Sequence, residues 1–495
     1  MSLEDSTQVL AVSSADAAAD VIPDVAAAGA PALARNALSA LEAFGQSLAA
    51  TGPSIAIAGT IPVVYLAAGN GTIYSVILGT VIVLLVGYSV AQFARLVVGA
   101  GSLYSYIGLG LGRAPAFSAG WGIIIGYLGI AAACLVGAAL YSGAFLVSVG
   151  LSAGSGIPVQ LGLLAAATAL AVVFPLRGVR LSARVGIGLE VTSLLAIGAA
   201  LVATVAHYGF RFDSGQFTAK GSSLSGIMLG TVLAVTTFVG FESAGSLGAE
   251  TRDPHRAIPR AILATVLGAG VLYLVSTYVQ VIGFNTSNGL ASSAAPLNDI
   301  ATAAGVGWLS YLLDLGVTMS AVACASACIT AAARGLYSLS REGILPTALG
   351  RVHPVLKTPH VAVYLLGIVA GAVPFALIAL GNGELPVYAW TATFGTFGYL
   401  LAYLLVVVAL PVYLRRRGES IREALTAGTL AAVAILYVTY KNLVPVPAWP
   451  VNILPYGFAV ITVAALAWYG QLYRRNPDRA RGLGTLVEHA DRDAS

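Results

Sequence analysis

The sequence predicts an all-α integral membrane protein of twelve transmembrane helices, and three observations carry that prediction. Hydrophobic residues make up 58% of the 495 residues and charged residues only 9%, with a mean hydropathy of +0.87. An average soluble domain is roughly 25% charged, so this chain could not clothe itself in polar surface in water. Its length accommodates about twelve spans of ~20 apolar residues joined by short loops. Many of the 57 glycines and 21 prolines fall inside apolar runs. In a bilayer, neighbouring helices or cavity water satisfy the backbone groups that such residues free.

Residues 1–35 are rich in Ala, Asp, Ser and Val and contain no long apolar run. They lack the basic stretch and short apolar core of a secretory signal, and read as a disordered cytoplasmic tail. A transmembrane domain follows over 36–475, and 476–495 reads as a second cytoplasmic tail. The apolar segments fall near 45–68, 72–98, 116–149, 159–175, 183–207, 224–248, 260–284, 305–338, 360–381, 386–413, 422–441 and 450–473. The third and eighth exceed one perpendicular crossing, which implies tilt or extension beyond the bilayer.

Charge tests this arrangement. With the N-terminus inside, every one of the 25 Lys and Arg except Arg211, Lys220 and Lys441 falls on the cytoplasmic side. That bias obeys the positive-inside rule and places both termini in the cytoplasm. A missed span before the middle of the chain would scramble it. The expected location is the plasma (inner) membrane, with the chain crossing many times.

A chain of this kind with no large soluble part is suited to moving a small solute, which must bind near the midplane. Discontinuous helices supply hydrogen bonds there. The first segment reads Gly52-Pro53-Ser54-Ile55-Ala56-Ile57-Ala58-Gly59-Thr60-Ile61-Pro62. Pro62 lacks a backbone donor and its ring crowds the Ala58 carbonyl, while Gly59 admits unusual dihedrals. A break is expected at Ala58–Pro62. The sixth segment reads Thr236-Thr237-Phe238-Val239-Gly240-Phe241-Glu242-Ser243-Ala244-Gly245, and a break is expected at Thr236–Gly240. The plain alternative is that Gly240 and Gly245 only permit close helix packing. Two such segments opening two five-helix halves match the placement expected of an inverted repeat.

With these residues the chain resembles the amino acid–polyamine–organocation transporters, in the manner of an amino acid permease. Phe238-Val239-Gly240-Phe241-Glu242-Ser243, followed by Glu250-Thr251-Arg252-Asp253-Pro254, is similar to the family's sixth helix and the acidic loop after it. Arg334-Gly335-Leu336-Tyr337-Ser338-Leu339-Ser340-Arg341-Glu342-Gly343 is similar to the loop after the eighth helix. Gly99-Ala100-Gly101-Ser102-Leu103-Tyr104-Ser105-Tyr106, with Gly120-Trp121, adds a third match. The resemblance implies two inverted five-helix repeats (helices 1–5 and 6–10) plus two extra helices, with helices 1 and 6 discontinuous. It also implies a substrate held between helices 1, 3, 6, 8 and 10, and carriage of amino acids, amines or polyamines by symport or exchange. Family amino acid carriers usually have a Gly-Ser-Gly-Ile run in helix 1 whose amides hold the substrate carboxylate. Aligned by the Ile, this chain has Ala58-Gly59-Thr60-Ile61, so a carboxylate-free amine is a competing substrate.

The expected substrate-binding residues are therefore Ile57, Ala58, Gly59, Thr60 and Ile61, then Tyr127, then Thr236, Thr237, Phe238, Val239, Gly240 and Phe241. Phe238 and Phe241 could stack on a substrate ammonium. Ionisable residues inside spans are costly and are functional candidates by default. Glu190, in Gly188-Leu189-Glu190-Val191-Thr192-Ser193, is the expected proton-coupling residue, since an apolar setting disfavours its charged form. A purely structural acid is the alternative. Glu242 is expected to tie down the cytoplasmic half of the sixth helix, and Asp314 is open between structural and substrate roles.

Cys134, Cys324 and Cys328 lie in apolar runs and read as packing, because no His or carboxylate accompanies them as a metal site requires. His207, His255, His353, His360 and His489 all fall in loops, tails or span ends. No catalytic residue, metal site or cofactor is expected, and a membrane-embedded enzyme is disfavoured. The leading reading is a secondary active transporter of an amino acid or small organic amine working by alternating access, with proton-coupled uptake. Alternatives are a carrier of a polyamine or ethanolamine-like amine, a substrate exchanger, and, further off, a channel or membrane sensor. The coupling ion is a proton or else sodium. The partners are the small-molecule substrate and the lipid bilayer but no nucleic acid, and the chain is a monomer or homodimer.

Overall fold

Short helices, not one long one, make up the first predicted span. In a computed structural model of the protein, residues 33–151, 154, 156–209, 212–284, 289–293, 295–476 and 488–489 are described. The tails expected over 1–35 and 476–495 lie almost wholly outside these residues.

Helix α1 (Ala40–Thr51) starts at a capping box. Ser39 Oγ accepts from the Glu42 N–H, and the Glu42 carboxylate accepts from the Ser39 N–H at 2.7 Å. This satisfies two of the donors that a helix start leaves unpaired. The helix stops at Gly52, whose left-handed dihedrals (φ 57, ψ 57) suit glycine. Pro53 then opens α2 (Pro53–Gly59), a position where its missing N–H costs nothing. Beyond Thr60, α3 (Ile61–Ala68) continues in nearly the same path, with Pro62 in its first turn.

A boundary does fall within Ala58–Pro62, at Thr60 between α2 and α3, but it is a slight one. Thr60 keeps right-handed dihedrals and donates its N–H to the Ala56 carbonyl at 2.8 Å. The sharp turn is at Gly52, about two helical turns earlier. Glycine followed by proline ends one helix and starts the next, whereas Pro62 falls in a first turn and is absorbed there.

The sixth predicted span breaks where expected. Helix α9 (Leu224–Thr236) ends, residues 237–242 form turns, and a 3₁₀ segment (Ser243–Glu250) follows. Gly240 has φ +98, and a Cβ there would lie 2.5 Å from the Ala50 carbonyl oxygen. Only glycine allows both the dihedral and the approach.

The remaining helices of eight residues or more are α4 (Thr72–Leu96), α5 (Leu103–Leu111), α6 (Arg113–Ser148), α7 (Ile157–Leu176), α8 (Val179–Tyr208), α10 (Pro254–Gly283), α11 (Pro296–Ala303), α12 (Leu309–Arg341), α13 (His360–Ala379), α14 (Glu384–Arg416), α15 (Arg422–Lys441) and α16 (Leu454–Arg475). Among the described residues, ten stretches are long and apolar enough to cross a membrane. That is fewer than the twelve predicted, because the first and sixth spans are divided among shorter helices. Helices α6 and α12, from the third and eighth predicted spans, run to 36 and 33 residues.

Helix α6 is the centre of the bundle, packed between α12 and α14. Glycines make the closest of these crossings. A Cβ on Gly129 would lie 2.5 Å from the Gly395 Cα, and one on Gly398 would lie 2.1 Å from the Gly122 carbonyl oxygen. In a bilayer, where hydrophobic burial between helices drives little, such backbone approach supplies the packing. Leu195, Val202, Ile368 and Val460 are exposed, as suits an apolar solvent.

Candidate functional site

The two breaks meet. Gly240 lies against Ala50, and past it the 3₁₀ segment runs along α1, with Ser243 Oγ donating to the Gln46 carbonyl (3.2 Å) and the Ala244 N–H donating to Ser47 Oγ (3.0 Å). Gln46 Nε2 in turn donates to the Ala327 carbonyl of α12 at 2.8 Å. The Cys324 thiol, from the same helix, lies 3.2 Å from the Ala50 carbonyl oxygen. The thiols of Cys134, Cys324 and Cys328 are all buried around this crossing.

A carboxylate attends each break. Glu190, on α8, is fully buried. Its Oε1 accepts from the Ser54 N–H at 2.9 Å and from Ser54 Oγ at 2.8 Å. Ser54 is the second residue of α2, so the carboxylate sits at a helix N-terminus, where unpaired amides and the helix dipole favour negative charge. Glu190 Oε2 makes no hydrogen bond among the described residues. Ser320 of α12 adjoins the carboxylate without reaching bonding geometry, and the Ser193 hydroxyl on α8 is likewise unpaired. Glu242, at the end of the second break, is as deeply buried but fully engaged. Tyr127 of α6 donates to Oε1 at 2.8 Å, and Tyr403 of α14 donates to Oε2 at 2.6 Å. This tie to two scaffold helices accords with the tethering role expected for Glu242.

The other expected residues divide. Ile57 and Ile61 are buried, and the Ile57 carbonyl accepts from Gln280 Nε2 at 3.4 Å. Ala58 lines a pocket with Tyr141, Asn298 and Asp314. Gly59 and Thr60 adjoin the Tyr388 hydroxyl of α14. Tyr127 lines a second pocket with Ser102, Tyr104 and Ser246. Thr236 and Thr237 turn their hydroxyls back to the Leu233 and Ala234 carbonyls. The Phe238 ring meets Tyr273 edge-on at 5.0 Å, Phe241 meets Tyr403 at 5.4 Å, and both phenylalanines are fully buried in this conformation. Val239 is buried beside them.

The arginine-rich end of the bundle is tied together by an ion pair and backbone bonds. Arg334 pairs with Glu250 through Nε (2.6 Å) and Nη2 (3.2 Å), and both are buried. The Leu38 N–H donates to the Glu250 carbonyl at 3.0 Å, and the Arg252 N–H donates to the Leu38 carbonyl at 2.8 Å. Arg184 meets Glu42 at 2.7 Å. The segment ahead of α1 therefore lies across the loop that follows the sixth span. Sequence reasoning missed Gly52, for which the Gly-Pro pair was a signal, and the partners Ser54, Tyr403 and Asn298, for which it held none.

Comparison with known proteins agrees with this architecture. The sequence profile of the amino acid permease family matches residues 41–478. The branched-chain amino acid permease BcaP of Bacillus subtilis is 26% identical over 388 residues, covering 75% of this chain and 80% of that protein. An uncharacterized transporter of Mycobacterium tuberculosis is 28% identical over 414 residues, covering 81% and 84%. The crystal structure of a manganese transporter mutant from Eremococcus coleocola superposes with a TM-score of 0.55 at 14% identity, covering 90% of this chain and 95% of that one. At that identity the likeness concerns the fold alone.

Proposed function

Because the chain belongs to the amino acid permease family, a family of membrane transporters and not of enzymes, we propose that it is a secondary active transporter. It carries an amino acid or small organic amine by alternating access, coupled to protons through Glu190. The observation that carries this reading is the Glu190 carboxylate, buried in the membrane domain, holding the start of α2 through one oxygen while the other has no hydrogen bond.

The chemistry follows from that geometry. Ionised, Glu190 accepts both Ser54 hydrogen bonds and faces the positive end of the α2 dipole, so it pins the mobile half of the first helix to α8. A proton placed on the unpaired oxygen removes the charge and weakens the pin. The group thereby links protonation to the freedom of the first helix, which is what coupling requires. The substrate sits at the crossing of the Gly52 and Gly240 breaks. The arginine-rich end faces the cytoplasm by the positive-inside rule, so the Glu250–Arg334 pair closes the inner path in this conformation.

The printed names of the relatives span branched-chain amino acids, methylthioribose, and glutamate with serine, so the substrate is argued from the site. An amino acid is the first choice. A carboxylate-free amine is favoured by one feature, namely that Glu190 already occupies amide and hydroxyl donors at the α2 N-terminus that a substrate carboxylate would use. Thermal-shift screening of the purified protein against amino acids and amines, across pH and with or without sodium, separates these. Stabilisation by ethanolamine but by no amino acid overturns the first choice. Stabilisation that requires sodium and ignores pH overturns proton coupling.

A further inference from the structure

Asp314 has no role in the mechanism above, yet it is a carboxyl group with 2% exposure on a membrane-spanning helix. It stands 20 residues before Arg334, which is about 30 Å along α12, so it lies toward the end opposite the Glu250–Arg334 pair. Buried acids normally pair with a cation, but the ion pairs among the described residues involve Glu42, Glu250 and Glu419 instead. The recorded partner of Asp314 is neutral. Asn298 Nδ2, from the short helix α11, donates to Oδ1 at 2.9 Å.

The surroundings give that carboxylate a use. It lines a small pocket together with Asn298, Tyr141 of α6 and Ala58 of α2, the helix that begins at the first break. A carboxylate and a tyrosine around one cavity suit an ammonium group, since the first supplies charge and an aromatic ring can supply a negative face. At the two breaks, Glu242 is committed to two tyrosines, and Glu190 holds the start of α2 through one oxygen and is assigned the coupling proton on the other. The other carboxylate on this part of the chain, Asp299 on α11, is turned to the Ser293 hydroxyl at 2.5 Å.

We infer that the pocket of Asp314, Tyr141, Asn298 and Ala58 is an ammonium-binding site, which takes the positive group of an incoming substrate before the breaks. Binding displaces Asn298 from the carboxylate and so loosens α11 from α12 as the substrate arrives. This rests on the transport reading above and gives the positive group of that substrate class its first contact.

The test is equilibrium titration of the full chain in lipid nanodiscs with ethanolamine, L-leucine and ethylene glycol, the last being the uncharged counterpart of the first. The site predicts binding of a protonated amine, no binding of the glycol, and tenfold or greater weakening in Asp314→Asn. In Asn298→Ala the carboxylate loses its competitor, so amine affinity rises twofold or more. Tetramethylammonium competes with ethanolamine on the unmodified protein, which keeps the test decisive should Asp314→Asn fold poorly. Equal affinity in Asp314→Asn, weakening by Asn298→Ala as large as that by Asp314→Asn, or no competition by tetramethylammonium overturns the inference and leaves the transport reading standing. Failure of the unmodified protein to bind either ethanolamine or leucine overturns the inference, whereas the transport reading falls only if no amino acid or amine in the thermal-shift screen stabilises the protein.

Discussion

The two broken helices differ in how their carboxylates are held. At the second break both oxygens of Glu242 are taken, by hydroxyls from α6 and α14. At the first, Glu190 spends one oxygen on Ser54 and leaves the other unpaired. A satisfied buried carboxylate fixes the segment that carries it, whereas a half-satisfied one can exchange a proton and change its grip. In the proposed transport cycle the second break is the anchored element and the first the movable one.

The largest way to disturb this contrast is to attack the anchor's far end. Arg334→Ala leaves Glu250 buried without its cation, a change that typically costs about 3–5 kcal/mol. The expected result is a large loss of thermal stability in detergent, together with new accessibility of the inner path to thiol reagents at Cys328. Gly240→Ala comes next, since its Cβ would clash with the Ala50 carbonyl and its φ of +98 disfavours any side chain. We expect destabilisation of about 1–3 kcal/mol, and a fully stable variant would show that the two breaks are not in contact. Tyr403→Phe removes one charged hydrogen bond from Glu242 and is expected to cost about 1.5–3 kcal/mol, much of it recovered in Glu242→Gln/Tyr403→Phe. Additive losses would contradict the clamp. Glu190→Gln is expected to change stability least, because an amide oxygen can still accept both Ser54 bonds.

These residues also show how far the sequence could be read. The spans were legible because apolar runs of about 20 residues and the arginine bias are properties of the chain alone. The second break was legible because Gly240 stands among hydroxyls and an acid in an otherwise apolar run. The first was legible only in part, because Gly52-Pro53 and Gly59 with Pro62 offer the same punctuation seven to nine residues apart, and the sharper turn falls at the glycine packed against Cys324. Partners were invisible for a different reason. Tyr127 and Tyr403 lie 115 and 161 residues from Glu242, and Asn298 belongs to a short helix too polar to register as a span. Glu190 could be named as an acid at depth, but its bond to Ser54 depends on where α2 begins.

The central claim is that Glu190 carries the coupling proton, and uptake into proteoliposomes tests it most directly. A labelled substrate found by the thermal-shift screen is supplied with an inward proton gradient across a series of external pH values. The account predicts accumulation that falls as the gradient is removed, and in Glu190→Gln a protein that still exchanges substrate but no longer accumulates it or responds to pH. A Glu190→Gln protein whose uptake keeps the unmodified pH dependence would contradict it.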